Sequence, residues 1–403
     1  LTPPRLFTPA FVLLTIGHLL QALGYASMVL LPRYLVALGA TRAEVGLLMA
    51  AAAVGGLLSR PGVGWALDAW GRKKTLYAGT VVMVAGMFGV GLVTEVGWVA
   101  LLSRVVFGVG AGALFSGYFA FATDLVPAAR RTEGLALFGI AGLAPLIISP
   151  LAERSGVDAM AVRWFLPLVG LLVAGSLPVL WFVPEHRAVA PADEVRPGVY
   201  VTLMRPSLLP VWLVNVCFSA LVALFLSFAL VVGEARGIEH ANDLWWTYAG
   251  GAVVVRLFGA TLPDRLGPSR LVPPALGSYI LGVWMLSLAS SWYGLLFAGL
   301  LAGIGHGYCF PILSAQAMTR TEPSLRGTTM AMFTGIWDVT KLCAPPLLGL
   351  IADAWGDAIM LRLAGLLSVL VLAIWAVMEG RVQAEQRRVD GLGRPEGALS
   401  RVV

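Results

Sequence analysis

The residues best placed to do chemistry in this chain are ionisable side chains set inside long apolar stretches: His18, Arg104, His306, Asp338 and Lys341. A charge at the centre of a bilayer-length apolar helix costs at least ~2.5 kcal/mol on insertion scales, so each needs a counter-ion, a water-filled cavity or a charged ligand. Asp338 and Lys341 lie one helical turn apart and can neutralise each other. Alternatively, Asp338 takes up a proton as a cavity opens and frees Lys341 for a ligand. Arg104 sits too deep to snorkel, which points to a part in ligand binding or proton coupling. His18 and His306 change charge near physiological pH, although a lone histidine in a membrane is as readily a packed hydrogen-bonding group. There is no nucleophile–histidine–acid set, no phosphate loop and no metal-ligand spacing. Cys217, Cys309 and Cys343 fall inside apolar stretches, where thiols behave as small hydrophobes. No enzyme activity, cofactor or metal is expected.

The elements that must position these groups are membrane helices. The chain is 58% hydrophobic and 12% charged, against roughly 25% charged in a soluble domain, and its mean hydropathy is +0.84. Apolar runs of about 20 residues, long enough to cross a bilayer, fall near 11–32, 45–65, 75–95, 98–122, 133–152, 162–183, 207–232, 244–262, 271–290, 292–318, 328–352 and 358–378. The expected organisation is an all-α integral membrane protein with six spans in 1–183, a polar linker at 184–206, six spans in 207–380 and a tail at 381–403 that is disordered beyond a short helical extension. The first run is long enough to span and does not read as a cleavable signal.

The net charge of +6 has a pattern. With the N-terminus inside, the inner segments hold Arg5, Arg72, Lys73, Lys74, Arg130, Arg131, Arg187, Arg196, Arg205, Arg265, Arg270, Arg320, Arg326 and the five tail arginines. The outer loops hold only Arg33, Arg42, Arg154, Arg163, Arg236 and Arg362. This bias places both termini in the cytoplasm. It argues against a nucleic-acid partner.

The two halves are related. Arg60, Asp68, Gly71 and Arg72 recur in order as Arg256, Asp264, Gly267 and Arg270, and the first three recur at a constant offset of 196. Gly108, Gly110 and Gly112 return as Gly303, Gly305 and Gly307 at an offset of 195, as do Arg131, Ala136 and Phe138 at Arg326, Ala331 and Phe333. A charged turn repeated half a chain apart between apolar helices points to a duplicated transporter, with its substrate bound between two bundles near the midplane.

The turn Gly64…Leu67-Asp68…Gly71-Arg72-Lys73 resembles the loop 2–3 signature of the major facilitator superfamily, and Arg104…Gly108-Val109-Gly110-Ala111-Gly112 resembles that family's helix 4 motif. The tract from Leu58 to Arg72 is most similar to bacterial efflux-permease-like members. The resemblance implies twelve spans in two pseudo-symmetric six-helix bundles. It also implies a cytoplasmic gate of Asp68, Gly71, Arg72, Asp264, Arg265, Arg131 and Arg326, in which each aspartate caps a helix start in the opposite half, near Thr328 or Glu133. Two departures stand out: Ala69 replaces the usual base after the first aspartate, and Gly142-Leu143-Ala144-Pro145 is not the helix 5 pattern of drug/proton antiporters.

A polar stripe on a membrane helix must face protein or water. This criterion selects the expected substrate cavity: His18, Gln21, Tyr25, Arg104, Phe115, Tyr118, Asn215, Ser219, His306, Gln316, Trp337 and Lys341. Asp338 and Arg104 are the expected proton-coupling residues. Spans 3, 6, 9 and 12 carry no internal charge and read as outer scaffold. Arg60 and Arg256 lie near span ends, where snorkelling to headgroups is one reading. The sequence thus describes a monomeric secondary transporter of a bacterial inner membrane, whose partners are the lipid bilayer, protons and a small molecule. Its expected activity is proton-coupled antiport, exporting a small amphipathic anionic or zwitterionic compound or drug. The alternative is an importer of an organic anion, and a non-transporting receptor is a further alternative.

Overall fold

The structure is a computed structural model that describes residues 6–127, 130–185, 204–259, 262, 266–321 and 326–392; within these, the side chains of Asp68, Arg131–Glu133, Ala136, Arg326–Thr328 and 389–392 are not described. Asp264, Arg265 and most of the linker also lie outside the described residues. Every regular element among the described residues is helical. The first half comprises α1 (Pro9–Ser27), α2 (Leu31–Ala37), α3 (Arg42–Ala69), α4 (Arg72–Val90), α5 (Trp98–Leu125), α6 (Arg131–Ile140), α7 (Ile148–Arg154), α8 (Val162–Ala174) and α9 (Ser176–Trp181). The second comprises α10 (Leu209–Ala235), α11 (Leu244–Phe258), α12 (Pro268–Leu288), α13 (Trp292–Thr319), α14 (Arg326–Trp355) and α15 (Asp357–Leu392).

Three passes of the first half are broken helices: α1 with α2, α6 with α7, and α8 with α9. The breaks fall at Pro32, Pro145 and Gly175, where a missing amide hydrogen or a flexible backbone interrupts the ladder. Counted this way, the described residues make twelve passes. Nine meet a simple length-and-hydropathy test. The other three are α4, which opens on Arg72-Lys73-Lys74, the 15-residue α11, and α14, which carries Asp338 and Lys341.

The helix ends are written locally. Thr8 accepts from the Phe11 amide with Pro9 at the first helical position, and Thr41 and Glu44 form a reciprocal capping box on α3, satisfying amides that have no partner within the helix. Gly71 and Gly267 open α4 and α12 at φ 96° and 83°, a region that side chains disfavour. Gly39, Gly71 and Gly156 have positive φ, and Gly237, Gly267 and Gly356 repeat them 196 to 200 residues later. The duplication therefore extends to backbone geometry.

The glycine triplets set the close helix crossings. A Cβ on Gly108 would strike the Ala52 carbonyl of α3, and one on Gly303 would strike the Tyr248 carbonyl of α11. Gly110 and Gly305 sit just as tightly against α4 and α12. Between the halves, α3 runs along α14, with Gly46 against the Pro345 carbonyl. The outermost helices bury least: 28% of the apolar window is buried in α15 and 33% in α8–α9, against 83% in α10.

The helical extension expected past Glu379 reaches Leu392, the end of α15. The segment Gln383-Ala384-Glu385-Gln386-Arg387-Arg388 consists of strong helix formers and holds a Glu385–Arg388 pair one turn apart. Residues 393–403 lie outside the described residues.

Candidate functional site

The groups capable of binding a ligand converge where the two halves meet. The face on which α1 begins and α15 ends is called the near face, and the opposite one the far face. Arg60 on α3 reaches across to α14, where Nε meets Asp338 Oδ2 at 2.5 Å, Nη1 donates to Thr334 Oγ1 at 3.1 Å, and Nη2 donates to the Thr334 carbonyl at 3.0 Å. The two charged side chains are 29% and 20% exposed. Asp338 lies twelve residues into α14, about 18 Å from its near-face end at 1.5 Å per residue, past the middle of a ~30 Å hydrocarbon layer. The spacing suggested Lys341 as Asp338's partner, and the structure corrects this. Lys341 Nζ lies 5.2 Å from the centre of the Trp337 ring and is in no ion pair among the described residues.

Arg256 on α11 is the repeat counterpart of Arg60, and it too faces the other half. Its Nε donates to the Gly307 carbonyl at 3.3 Å, while Nη1 lies 2.7 Å from where a Gly139 Cβ on α6 would stand. Neither arginine snorkels away to a headgroup layer.

Aromatic side chains pack around each cationic centre. In the second half, His306 Nδ1 hydrogen-bonds the Tyr248 hydroxyl at 2.5 Å, and that hydroxyl meets the Tyr279 hydroxyl at 3.1 Å. Trp337 donates to Asn215 Oδ1 at 2.8 Å, and Asn215 donates to the Phe333 carbonyl at 2.9 Å. In the first half, His18 stacks on Phe138 at 4.5 Å, touches Tyr118 and Phe119, and pairs through Nδ1 with Gln21 at 3.2 Å. His18 is 3% exposed, and its Nε2 has no partner. Phe115 is 36% exposed and packs on Phe119 at 5.0 Å. The expected cavity residues His18, Gln21, Phe115, Tyr118, Asn215, His306, Trp337 and Lys341 thus fall into two aromatic clusters, one per half.

Three expectations are corrected. Arg104, expected in the cavity and in proton coupling, is buried between helices. It donates from Nε to the Leu48 carbonyl at 3.2 Å and from Nη2 to the Met49 carbonyl at 3.3 Å, and it packs on Phe107. It clamps α5 to α3. Gln316 belongs to a near-face cluster in which Glu379 accepts from Arg320 and from Ser269 at 2.7 Å, with Gln316 Nε2 donating to Ser269 at 2.9 Å. Ser219 bonds only the Val216 carbonyl of its own helix at 3.0 Å. Tyr25 donates to the Ala111 carbonyl and so ties α1 to α5, and it stays beside Asp338 as an expected cavity residue.

At the near face, Arg72 is held by Asp124 at 3.1 Å and by the Leu67 carbonyl at 2.9 Å. The side chains of Asp68, Arg131 and Arg326, and all of Asp264 and Arg265, lie outside the described part. The sequence reading missed a seal at the far face. Arg33 pairs with Glu234 at 2.8 Å and Arg154 with Asp243 at 2.7 Å. Arg42 binds both oxygens of Asp357 at 3.0 Å each. Asp353 accepts the backbone amides of Arg42 and Ala43 at 2.8 and 2.7 Å. A carboxylate of the second half therefore caps α3 of the first, satisfying first-turn amides. The sequence reading expected such a cross-half cap, but at the near face.

Two related bundles of six passes among the described residues, joined at mid-depth by a partly exposed ion pair and at one face by further pairs, have the architecture of a membrane transporter. The family model described as the Major Facilitator Superfamily matches residues 14–290 and 246–396. The chain belongs to that superfamily. Among curated relatives, a gentisate transporter of Corynebacterium glutamicum is 30% identical over 311 residues, covering 69% of this chain and 67% of that protein. An MFS-type transporter of Salmonella typhimurium, STM4428, is 25% identical over 349 residues, covering 82% and 86% of the two chains. Two solved structures share the fold. A point mutant of the nucleoside transporter NupG has a TM-score of 0.77 at 13% identity, covering 92% of this chain and 99% of its own. The human organic anion transporter MFSD10 has a TM-score of 0.69 at 17% identity, covering 93% and 100%.

Proposed function

We propose that this chain is a secondary transporter that carries a small organic anion across a bacterial inner membrane by alternating access, with both termini cytoplasmic, and that it works as a monomer. The observation that carries this reading is the charge at the junction of the halves: Arg60 is paired with Asp338, while Arg256 and Lys341 have no acid paired with them among the described residues, and aromatic rings surround them. The excess positive charge suits a carboxylate-bearing substrate. The gentisate transporter among its relatives and the organic anion transporter among its structural neighbours agree with that class. Near face and far face then correspond to cytoplasm and exterior.

Energetics supports coupling to a cation such as the proton when the anion moves inward. Moving one anion into a cell whose interior is negative costs ~2.3 kcal/mol per 100 mV, a cost that one accompanying proton cancels. We place that proton on Asp338, which is partly exposed and faces Arg60 from α3, Lys341 on its own helix and Tyr25 from α1. Proton-linked uptake is therefore the first reading. Export by antiport is the second, favoured by the Leu58-Ser59-Arg60-Pro61 tract. Proteoliposomes given an acidic exterior and labelled gentisate or benzoate provide the test. The uptake reading requires accumulation, and export requires that the substrate move against the protons. No movement of any aromatic acid under either gradient would refute the organic-anion reading.

A further inference from the structure

Arg60 and Arg256 are related by more than sequence offset. Arg60 of the first half directs Nη1 at position 334 of the second, where Thr334 receives it at 3.1 Å. Arg256 of the second half directs Nη1 at position 139 of the first, 2.7 Å from where a Cβ would stand. Positions 139 and 334 differ by 195, the offset that relates Phe138 to Phe333 in the same two helices. The two guanidiniums are thus equivalent under the pseudo-symmetry of the fold, each aimed at the same point of the opposite bundle.

Their surroundings differ. Around Arg60 the opposite helix supplies a hydroxyl and a carboxylate, Thr334 and Asp338. Around Arg256 the corresponding residues are Gly139 and Leu143, which supply neither. Among the described residues no carboxylate pairs with Arg256, and only its Nε makes a hydrogen bond. A planar guanidinium with a free edge matches the two oxygens of a carboxylate.

A second polar group points to the same place. The unpartnered, buried His18 Nε2 lies 3.4 Å from where a Cβ on Gly142 would stand, one turn beyond Gly139. Two glycines one turn apart therefore lie beside two nitrogens from two different halves, Arg256 Nη1 and the buried, unpartnered His18 Nε2. Buried polar atoms are seldom left without partners, and one that is calls for an explanation such as a ligand.

We infer that Arg256 is the anchor for the substrate's carboxylate, with His18 Nε2 beside it, and that the substrate takes at Arg256 the place that Asp338 takes at Arg60. This inference rests on the organic-anion reading and assigns the binding atom within it. One pseudo-symmetric arginine holds a resident acid that can accept a proton, and the other holds the acid that is carried. Gly139 is the specificity residue, because its lack of a side chain is what admits the guanidinium to this point of the opposite bundle.

The test is binding of gentisate and of its methyl ester, which has the same ring without the charge, to the purified full chain in nanodiscs. The wild-type protein should prefer the acid to the ester by tenfold or more. Arg256→Gln should bring that preference close to unity, and Arg256→Lys should leave it intermediate. Gly139→Asp, which gives Arg256 a resident carboxylate, should abolish the preference in the same way. The ratio of the two affinities within one variant does not depend on how much of it folds. A tenfold preference that survives in Arg256→Gln, or acid and ester weakening together, would overturn the assignment while leaving the organic-anion reading intact. A wild-type protein that binds neither gentisate nor any other aromatic acid would remove both.

Discussion

Replacing Asp357 by Asn should loosen the far face. Asp357 accepts two charge-assisted bonds from Arg42, each 3.0 Å, and the two side chains are only 15% and 19% exposed. Hydrogen bonds to charged groups contribute about 1.5–3 kcal/mol. Asparagine keeps one acceptor, and the rim position admits water, so the loss is put at about 1–2 kcal/mol, a factor of about 5–30 in an equilibrium constant. That energy is spent only in the conformer in which the far face is closed, so it appears as a population shift toward far-face opening. Spin labels at Glu95 and Ser290, exposed positions at the far face of the two halves, would report it as a growing long-distance component, with the exposed Cys343 replaced by Ser to avoid stray labelling. Arg42→Gln should act alike, and the double variant should add little to either single one, because the interaction is already lost. Unchanged distance distributions in both single variants would refute the seal.

Other expectations concern packing and buried charge. Gly108→Ala should lower the melting temperature, since its Cβ meets the Ala52 backbone carbonyl and overpacking costs about 1–3 kcal/mol. Gly250→Ala, in α11 with open space around it, should be neutral or stabilising by up to ~1 kcal/mol; a melting comparison that ranks the two the other way would contradict the crossing geometry. Glu379→Gln should destabilise by about 3–5 kcal/mol by stranding Arg320, whose side chain is 8% exposed, and thermal unfolding should show it. Arg104→Lys should reduce stability, because one ammonium cannot span the Leu48 and Met49 carbonyls as a fork does, yet it should leave the KM for transport unchanged. A raised KM would restore Arg104 to the substrate site.

What the sequence showed well was whatever depends on local order. The glycine triplets, the turn glycines and the bilayer-length runs each act within a few residues, and their repetition at a constant offset exposed the duplication. Asp338 and Lys341 stood out because charge is costly in an apolar helix. The identity of Asp338's partner did not, because Arg60 lies 278 residues away and meets it only once α3 and α14 are packed. Arg104 misled for a related reason. Its depth was correctly read, but a buried guanidinium can be satisfied by helix carbonyls, and no sequence pattern marks those. The far-face seal was hidden among residues read only for their bearing on topology. Arg33, Arg42 and Arg154 counted there as bases in loops, whereas their partners fix which state is closed.

Each of the described ion pairs between the halves joins an arginine of the first to an acid of the second: Arg33 to Glu234, Arg42 to Asp357, Arg60 to Asp338 and Arg154 to Asp243. The two bundles descend from one pattern, yet in each of these four pairs the base sits on the first bundle and the acid on the second. At mid-depth, two copies of the first bundle would set Arg60 against Gly139 and Leu143 and leave it without an acid, whereas the native pairing gives it Asp338. A first half expressed alone should therefore lack these contacts, and co-expression with the second half should supply them. The covalent link between them then supplies proximity, and the recognition is already encoded in the interface.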